Sequence, residues 1–559
     1  MPCVRPRLAS ERAPHGETKG EKSMRRALIT IATLALLLGS GSLALALSIS
    51  DSQANKPQVA GSPSSDTTAR FPTNKQNEPT IARDPISGKL IAGSNDEQLE
   101  PPCGPGPVRG ATAPANDCSF FPGVSTSGVY TSNDGASWTN RGLLPGYSNT
   151  GGSLVSDGDP VIVFGPKPAS GGGFSFANGA RAYYANLASF APGAASGNQA
   201  PELLAVSRSD NDGLNWTDPV VAAGGHGFKF NDKEAIWADT NPASPFFGRV
   251  YISWTQFRGS VFTFFGEPIV MAFSADGGAT WSKPNQLSAA HNNGSVGGRQ
   301  GSTVRTGPDG TVYVFWEDGD NKIGNKMVFA SSSDGGATWS RPGDIAAVRD
   351  IADPIPGSNF RTDSFLSAAV DQTSGAIYAT WSDATGGAGH IVVTRSADKG
   401  ASWSALTTVS AAGNGYAFFQ GLDVAPNGRV DVGYQAQKAT SATTYGTGNA
   451  TIDSYYTSSS NGGSTWSAPV KVSSVSSDPA ASAQNNLARQ FWGDYNTLVS
   501  TNAAAYFIYT DSRSGVGCPA VDAYQHSIDA GAPIAKPAPP TACASQFGNT
   551  DVFVSKITP

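Results

Sequence analysis

One octapeptide recurs six times along this chain of 559 residues. Such a repeat constrains the fold more than any other feature, because every copy has to occupy the equivalent place in one repeated unit. The copies read TSNDGASW (Thr131 to Trp138), SDNDGLNW (Ser209 to Trp216), SADGGATW (Ser274 to Trp281), SSDGGATW (Ser332 to Trp339), SADKGASW (Ser396 to Trp403) and SSNGGSTW (Ser459 to Trp466). Their tryptophans lie 78, 65, 58, 64 and 63 residues apart. Asn133, Asn211, Asp276, Asp334, Asp398 and Asn461 hold one position of the repeat. Asp and Asn side chains accept backbone hydrogen bonds from the residues that follow, and Gly supplies positive φ, so each copy reads as a tight turn backed by a Trp. The turn role is structural, and the mix of Asn and Asp shows that charge is not essential to it.

Three runs with a period of two precede each copy and a fourth follows it. In the fourth unit the first three read STVRTG, TVYVFWED and KMVFASSSD; SAPVKVSS follows Trp466 in the sixth. Strand, strand, strand, turn, strand is one four-stranded propeller blade. Units open at EPTIARDP, DPVIVFGP, EAIWADTN, STVRTGPDG, FLSAAVDQ, GLDVAPNG and YNTLVSTN, the last without an octapeptide. The chain is therefore expected to be all-β, a propeller of seven blades, with six as the alternative. The last unit ends at DVFVSKI and lacks an outer strand; KPQVAGS (Lys56 to Ser62) is expected to supply it and close the ring.

The octapeptide resembles the Asp box, or BNR repeat, of the sialidase superfamily, and the repeats cover nearly all of the chain after its N-terminal segment. The resemblance implies a β-propeller that acts on glycans as an exo-glycosidase of the sialidase type. It also implies a site on the channel face opposite the boxes. A non-catalytic propeller that binds carbohydrate or protein at the cell surface is the first alternative. A hydrolase of neutral sugars is the second.

Composition narrows the partners. Charged residues make up 15% and the net charge is -6, with no Lys/Arg cluster outside the N-terminus, which argues against nucleic acid. Arg25 and Arg26 precede an apolar run from Ala27 that continues to about Ile49. This segment reads as a secretory signal, or as an uncleaved anchor that would be the chain's one membrane contact. The expected organisation is a polar extension over 1–23, the signal or anchor over 24–54 and the propeller over 55–559, secreted or held at the cell surface, with extracellular glycans or glycoproteins as partners. Cys103, Cys118, Cys518 and Cys543 then lie in an oxidising compartment, where sequence proximity favours Cys103 with Cys118 and Cys518 with Cys543.

Strand direction places the openings of the first strands and the ends of the second strands on the face opposite the octapeptides, where function is expected. What the sialidase resemblance implies there is three arginines for a substrate carboxylate, an acid and a tyrosine polarised by a glutamate. By position these are Arg299, Arg361 and Arg489 for the triad, Tyr495 as nucleophile, Glu234 or Glu317 as its base, and Asp96 or Asp159 as the acid. Trp316 and Trp381, with Trp254, are candidates to stack on sugar rings. Where sialidases carry an Arg-Ile-Pro motif this chain has Glu78-Pro79-Thr80, an acidic residue that opposes an anionic sugar. No cofactor and no Cys/His metal site is expected, although Glu78, Asp159 and Asp363 offer hard oxygen ligands suited to a structural calcium.

Overall fold

The computed structural model describes residues 47–57, 75–97, 107–108, 111–112, 126–190, 202–224, 229–260, 263–292, 297–319, 324–413, 415–438, 450–482, 490–520, 523, 532, 534–535 and 549–559. Ser48–Thr558 form one compact unit. Its main sheets number seven, each with four antiparallel strands along its hydrogen-bonded path. Blade 1 runs through Gln76–Arg83, Leu90–Asp96, Ser127–Ser132 and Thr139–Leu143. Blade 2 opens with Leu154–Pro168, blade 3 with Lys229–Ala238, blade 4 with Arg299–Thr306, blade 5 with Ser367–Val370 and blade 6 with Tyr416–Val424. The opening strands touch in sequence order, and blade 7, opening with Thr497–Ser500, meets both blade 6 and blade 1. The ring is closed.

An N-terminal strand does complete blade 7, but from a different segment than expected. Ser48–Gln53 pairs antiparallel with Asp551–Thr558, from Ser48 opposite Thr558 to Gln53 opposite Phe553. Lys56 lies beyond that strand, and most of the expected KPQVAGS run falls outside the described residues. The propeller therefore begins at Ser48, inside the stretch assigned from sequence to the signal or anchor. The physical reason is that an outer strand needs no alternation: only one edge is paired, and Ser48, Ile49 and Ser50 are exposed. Residues 24–46 lie outside the described residues. Among the described residues no helix is long and apolar enough to cross a membrane. Cys518 is buried and disulfide-bonded; Cys103, Cys118 and Cys543, and with them both expected pairings, fall outside the described residues.

The core is divided among the blade interfaces. Along Val312–Asp318, Val312, Val314 and Trp316 face blade 3, while Tyr313 and Phe315 face blade 5. Both sides of a blade are thus buried, which is how a chain this long avoids needing one oversized core. Each octapeptide Trp packs over the interface with the preceding blade, Trp339 against blade 3 and Trp403 against blade 4. In five turns the acceptor is the expected residue, as where Asp334 Oδ1 takes the N–H groups of Ala337 and Thr338 at 3.0 and 2.9 Å. In the second turn Asn211 takes the Asn215 N–H at 2.9 Å. The first turn differs. Asp134, not Asn133, accepts from Ala136 and Ser137, at 2.9 and 2.8 Å, because this turn is one residue shorter between acceptor and Trp. Gly400, at φ 88°, shows why the turn needs glycine: a Cβ there would lie 2.2 Å from the Phe329 ring of the preceding blade.

Candidate functional site

A repeated backbone irregularity builds the site. The opening strands of blades 1, 2, 3, 4 and 6 each break register where the chain turns into the left-handed region, at Glu78, Asp159, Lys233, Gly301 and Phe419, with φ between 49° and 66°. Positive φ costs a side chain energy unless its surroundings hold it, and bulges serve to re-aim side chains. Four of the seven non-glycine residues with positive φ among the described residues sit at these bulges. Blade 7 supplies the neighbouring Asp494 and Tyr495, and Gly493, at φ 93°, passes so close to Glu78 that a Cβ would lie 2.8 Å from its backbone nitrogen.

Around the axis these positions bring together Glu78, Asp159, Asp232, Glu234 and Asp494, with Lys233 and Arg361 as their cations. Asn95 links blades 1 and 2, donating to Glu78 Oε2 at 2.8 Å and accepting the Asp159 N–H at 3.0 Å. Burial, then the adjacent charges of Asp159 and Asp494, hold the Glu78 carboxyl well above the usual range. Burial and Asp159 raise Glu234 in the same way, and neither Glu234 oxygen receives a hydrogen bond from another residue. Asp232 is raised too, first by burial and then by Asp159. It accepts from the Lys233 N–H at 2.9 Å and from Gln300 Nε2 at 3.3 Å. Glu78 is fully buried and Glu234 nearly so, whereas Asp232, Lys233, Arg361, Asp494 and Tyr495 retain partial exposure.

Both cations are already engaged. Arg361 grips Asp494 with a fork, Nε to Oδ1 at 2.7 Å and Nη2 to Oδ2, and lies over the Phe491 ring. Lys233 Nζ sits 3.2 Å from the centroid of the Tyr495 ring. The Tyr495 hydroxyl points to the Pro160 carbonyl at 3.4 Å, and burial with the charges of Asp159, Glu78 and Glu234 drives its pKa upward, so it stays protonated. An aromatic cluster supports this side of the mouth: Phe360, in the segment 349–366, stacks on Trp492 at 5.6 Å, and Trp492 Nε1 donates to Gln435 at 2.9 Å.

The structure thus gathers Asp159, Glu234, Arg361 and Tyr495, and separates other sequence candidates from them. Asp96 is a brace inside blade 1, accepting from Gln76 at 2.9 Å and Tyr130 at 2.7 Å. Glu317 lies beside Asp350 and Asp363 and is not among the main charges that act on Tyr495. Arg299 is 1% exposed in its side chain and pairs with Asp318 at 3.4 Å. Arg489 falls outside the described residues. Trp254, Trp316 and Trp381 are fully buried and correct the expectation of sugar stacking, since alternation turns them into the blade interfaces. Among the described residues Glu78, Asp159 and Asp363 do not form one group of metal ligands. The sequence pattern marked Glu78 as opposing an anionic sugar and as an oxygen ligand for calcium, and gave no role to Lys233 or Asp232. Repeated opening strands that carry acids where a bulge must fall were the available signal.

No family model and no curated protein matches the chain. Among solved structures it is similar to a Dyadobacter fermentans protein of unknown function, at 11% identity over 92% of this chain and 99% of that one, with a TM-score of 0.39. It is similar to a Hadza microbial sialidase, at 16% identity over 71% and 72% of the chains, TM-score 0.39. A third likeness is to a Penicillium chrysogenum alpha-L-arabinanase complexed with arabinobiose, at 14% identity over 69% and 93%, TM-score 0.43. Likenesses this distant do not transfer an activity. The propeller architecture implied by the sialidase resemblance is nonetheless present in the chain's own blades, seven in number.

Proposed function

We propose that this chain is an exported propeller that hydrolyses glycosides at the axial cluster, and that its substrate is a neutral sugar. The observation that carries the reading is charge. Five carboxyl groups converge on a mouth whose two cations are both engaged, Arg361 by Asp494 and Lys233 by the Tyr495 ring. Among the described residues such a site offers a sugar carboxylate no free guanidinium, because Arg361 is neutralised by Asp494 and Arg299 is buried against Asp318.

Glycoside hydrolysis needs one carboxyl that holds its proton and another that does not. Asp232 is the acid: it is partly exposed, and burial and Asp159 keep it protonated above the usual carboxylate range. Asp159, on the adjacent blade and held at its backbone by Asn95, is the partner that activates water or attacks the sugar. Glu78 and Glu234 are positioning residues behind them, and the charges of Asp159 and Asp494 add to burial in keeping the proton on Asp232.

The test is a panel of neutral aryl glycosides alongside a sialic acid conjugate, presented to the purified chain. Turnover of a neutral member with none of the sialic acid conjugate is the expected result. Turnover of the sialic acid conjugate would overturn the charge argument. A folded chain inert to the whole panel would favour the non-catalytic binding reading.

A further inference from the structure

Beside the axial cluster, three further carboxyl groups meet between blades 4 and 5. Glu317 stands near the end of Val312–Asp318, and Asp350 and Asp363 belong to the irregular segment 349–366 that leads into blade 5. One ligand oxygen from each lies within 4.8 Å of the others. Three nearby cations are paired with other acids, Arg299 with Asp318, Lys326 with Asp344 and Arg361 with Asp494, and the Arg349 backbone N–H donates to Asp383 at 3.3 Å.

A separate observation points to a missing partner. Glu317 is only 7% exposed and its Oε2 has no hydrogen-bond partner. Its other oxygen accepts from Asn325 Nδ2 at 2.9 Å, and the same nitrogen donates to Asp350 at 2.5 Å. One amide nitrogen cannot offset three carboxylates.

We propose that Glu317, Asp350 and Asp363 bind a divalent cation of the calcium type, which ties the segment 349–366 to blade 4. The choice of ion follows from the ligand set: calcium accepts carboxylate oxygens from an irregular segment in flexible geometry, whereas magnesium demands a near-ideal octahedron and keeps several of its waters. Asp363 Oδ1 already takes the Ser364 N–H at 2.7 Å, which fixes the carboxylate's orientation. Because the same segment carries Arg361, the ion also steadies the Arg361–Asp494 fork at the channel mouth. The site is distinct from the axial cluster and does not depend on the activity proposed for it.

The experiment uses the full chain stripped with EDTA. Thermal unfolding is followed with calcium or magnesium added up to about 10 mM, beyond the range of weak extracellular calcium sites, and calorimetry gives the stoichiometry. Calcium is expected to raise the Tm by several degrees with one ion bound, and magnesium to do so far less. Glu317→Gln and Asp363→Asn should abolish the response. Both substitutions keep the side chain's size and an oxygen for Asn325 or Ser364 to donate to, so the metal-free variants should melt no lower than the metal-free wild type, which separates lost binding from lost folding. No calcium response in the wild type, an equal response to magnesium, or a full calcium response in the Glu317→Gln, Asp363→Asn double variant would each overturn the proposal.

Discussion

Replacing Asp51 with alanine should unlock the ring. Asp51 lies in the closing strand with its side chain 3% exposed, and Arg513, 10% exposed, donates to it at 2.8 Å. The Tyr509 hydroxyl donates to it at 2.7 Å, and Ser474, from the loop after blade 6, donates its N–H at 2.8 Å and its hydroxyl at 2.7 Å. Breaking a buried ion pair from one side costs about 3–5 kcal/mol. Arg513 keeps Asp511 at 2.6 Å, so the lower end applies. With a urea m-value of about 3 kcal/mol/M, a loss of about 3 kcal/mol lowers the unfolding midpoint by about 1 M. Tryptophan fluorescence in a urea titration measures it. Ser50→Ala, an exposed position of the same strand, is the control and should stay within about 0.5 kcal/mol of wild type. An Asp51→Ala variant as stable as that control would refute the reasoning that this strand is held by its acid.

Gly400→Ala combines a left-handed backbone with a contact against Phe329 and should cost more than about 2 kcal/mol by the same titration; a change under about 0.5 kcal/mol would show that the turn is not seated on the neighbouring blade. Burial raises Asp423 to about 7 and Asp551 to about 6. Unfolded, both ionise near pH 4, so their contribution to stability is full below about pH 4 and is lost as pH rises through 6 to 7. The wild type should therefore lose stability between pH 5 and pH 8, and Asp423→Asn should lose measurably less. An equal loss in both would contradict the assignment.

Most of the fold was legible because the octapeptides mark the same point in six blades, and opening strands such as EPTIARDP and YNTLVSTN extend the count where no marker exists. The closing strand was misplaced because SISDSQ has no apolar alternation and continues an apolar run. Asn133 was preferred to Asp134 because a one-residue shortening of a turn changes no residue type, only which side chain meets the amides. At the site, the gathering of acids at strand openings was readable. The left-handed conformation of Glu78, Asp159 and Lys233 was not, since none is a glycine. Nor could sequence pair Arg361 with Asp494, which are 133 residues apart. The tryptophans at second-strand ends misled because period-two alternation says which residues share a face, and in a propeller both faces are buried.

The most direct measurement of the central claim is kcat/KM on a neutral aryl glycoside for the wild type, Asp232→Asn and Asp159→Asn. The account predicts a fall of about a hundredfold or more in each variant, with the basic limb of the pH profile lost in Asp232→Asn, because that limb reports the proton Asp232 must hold. Variants that fold and turn over as the wild type does would contradict it.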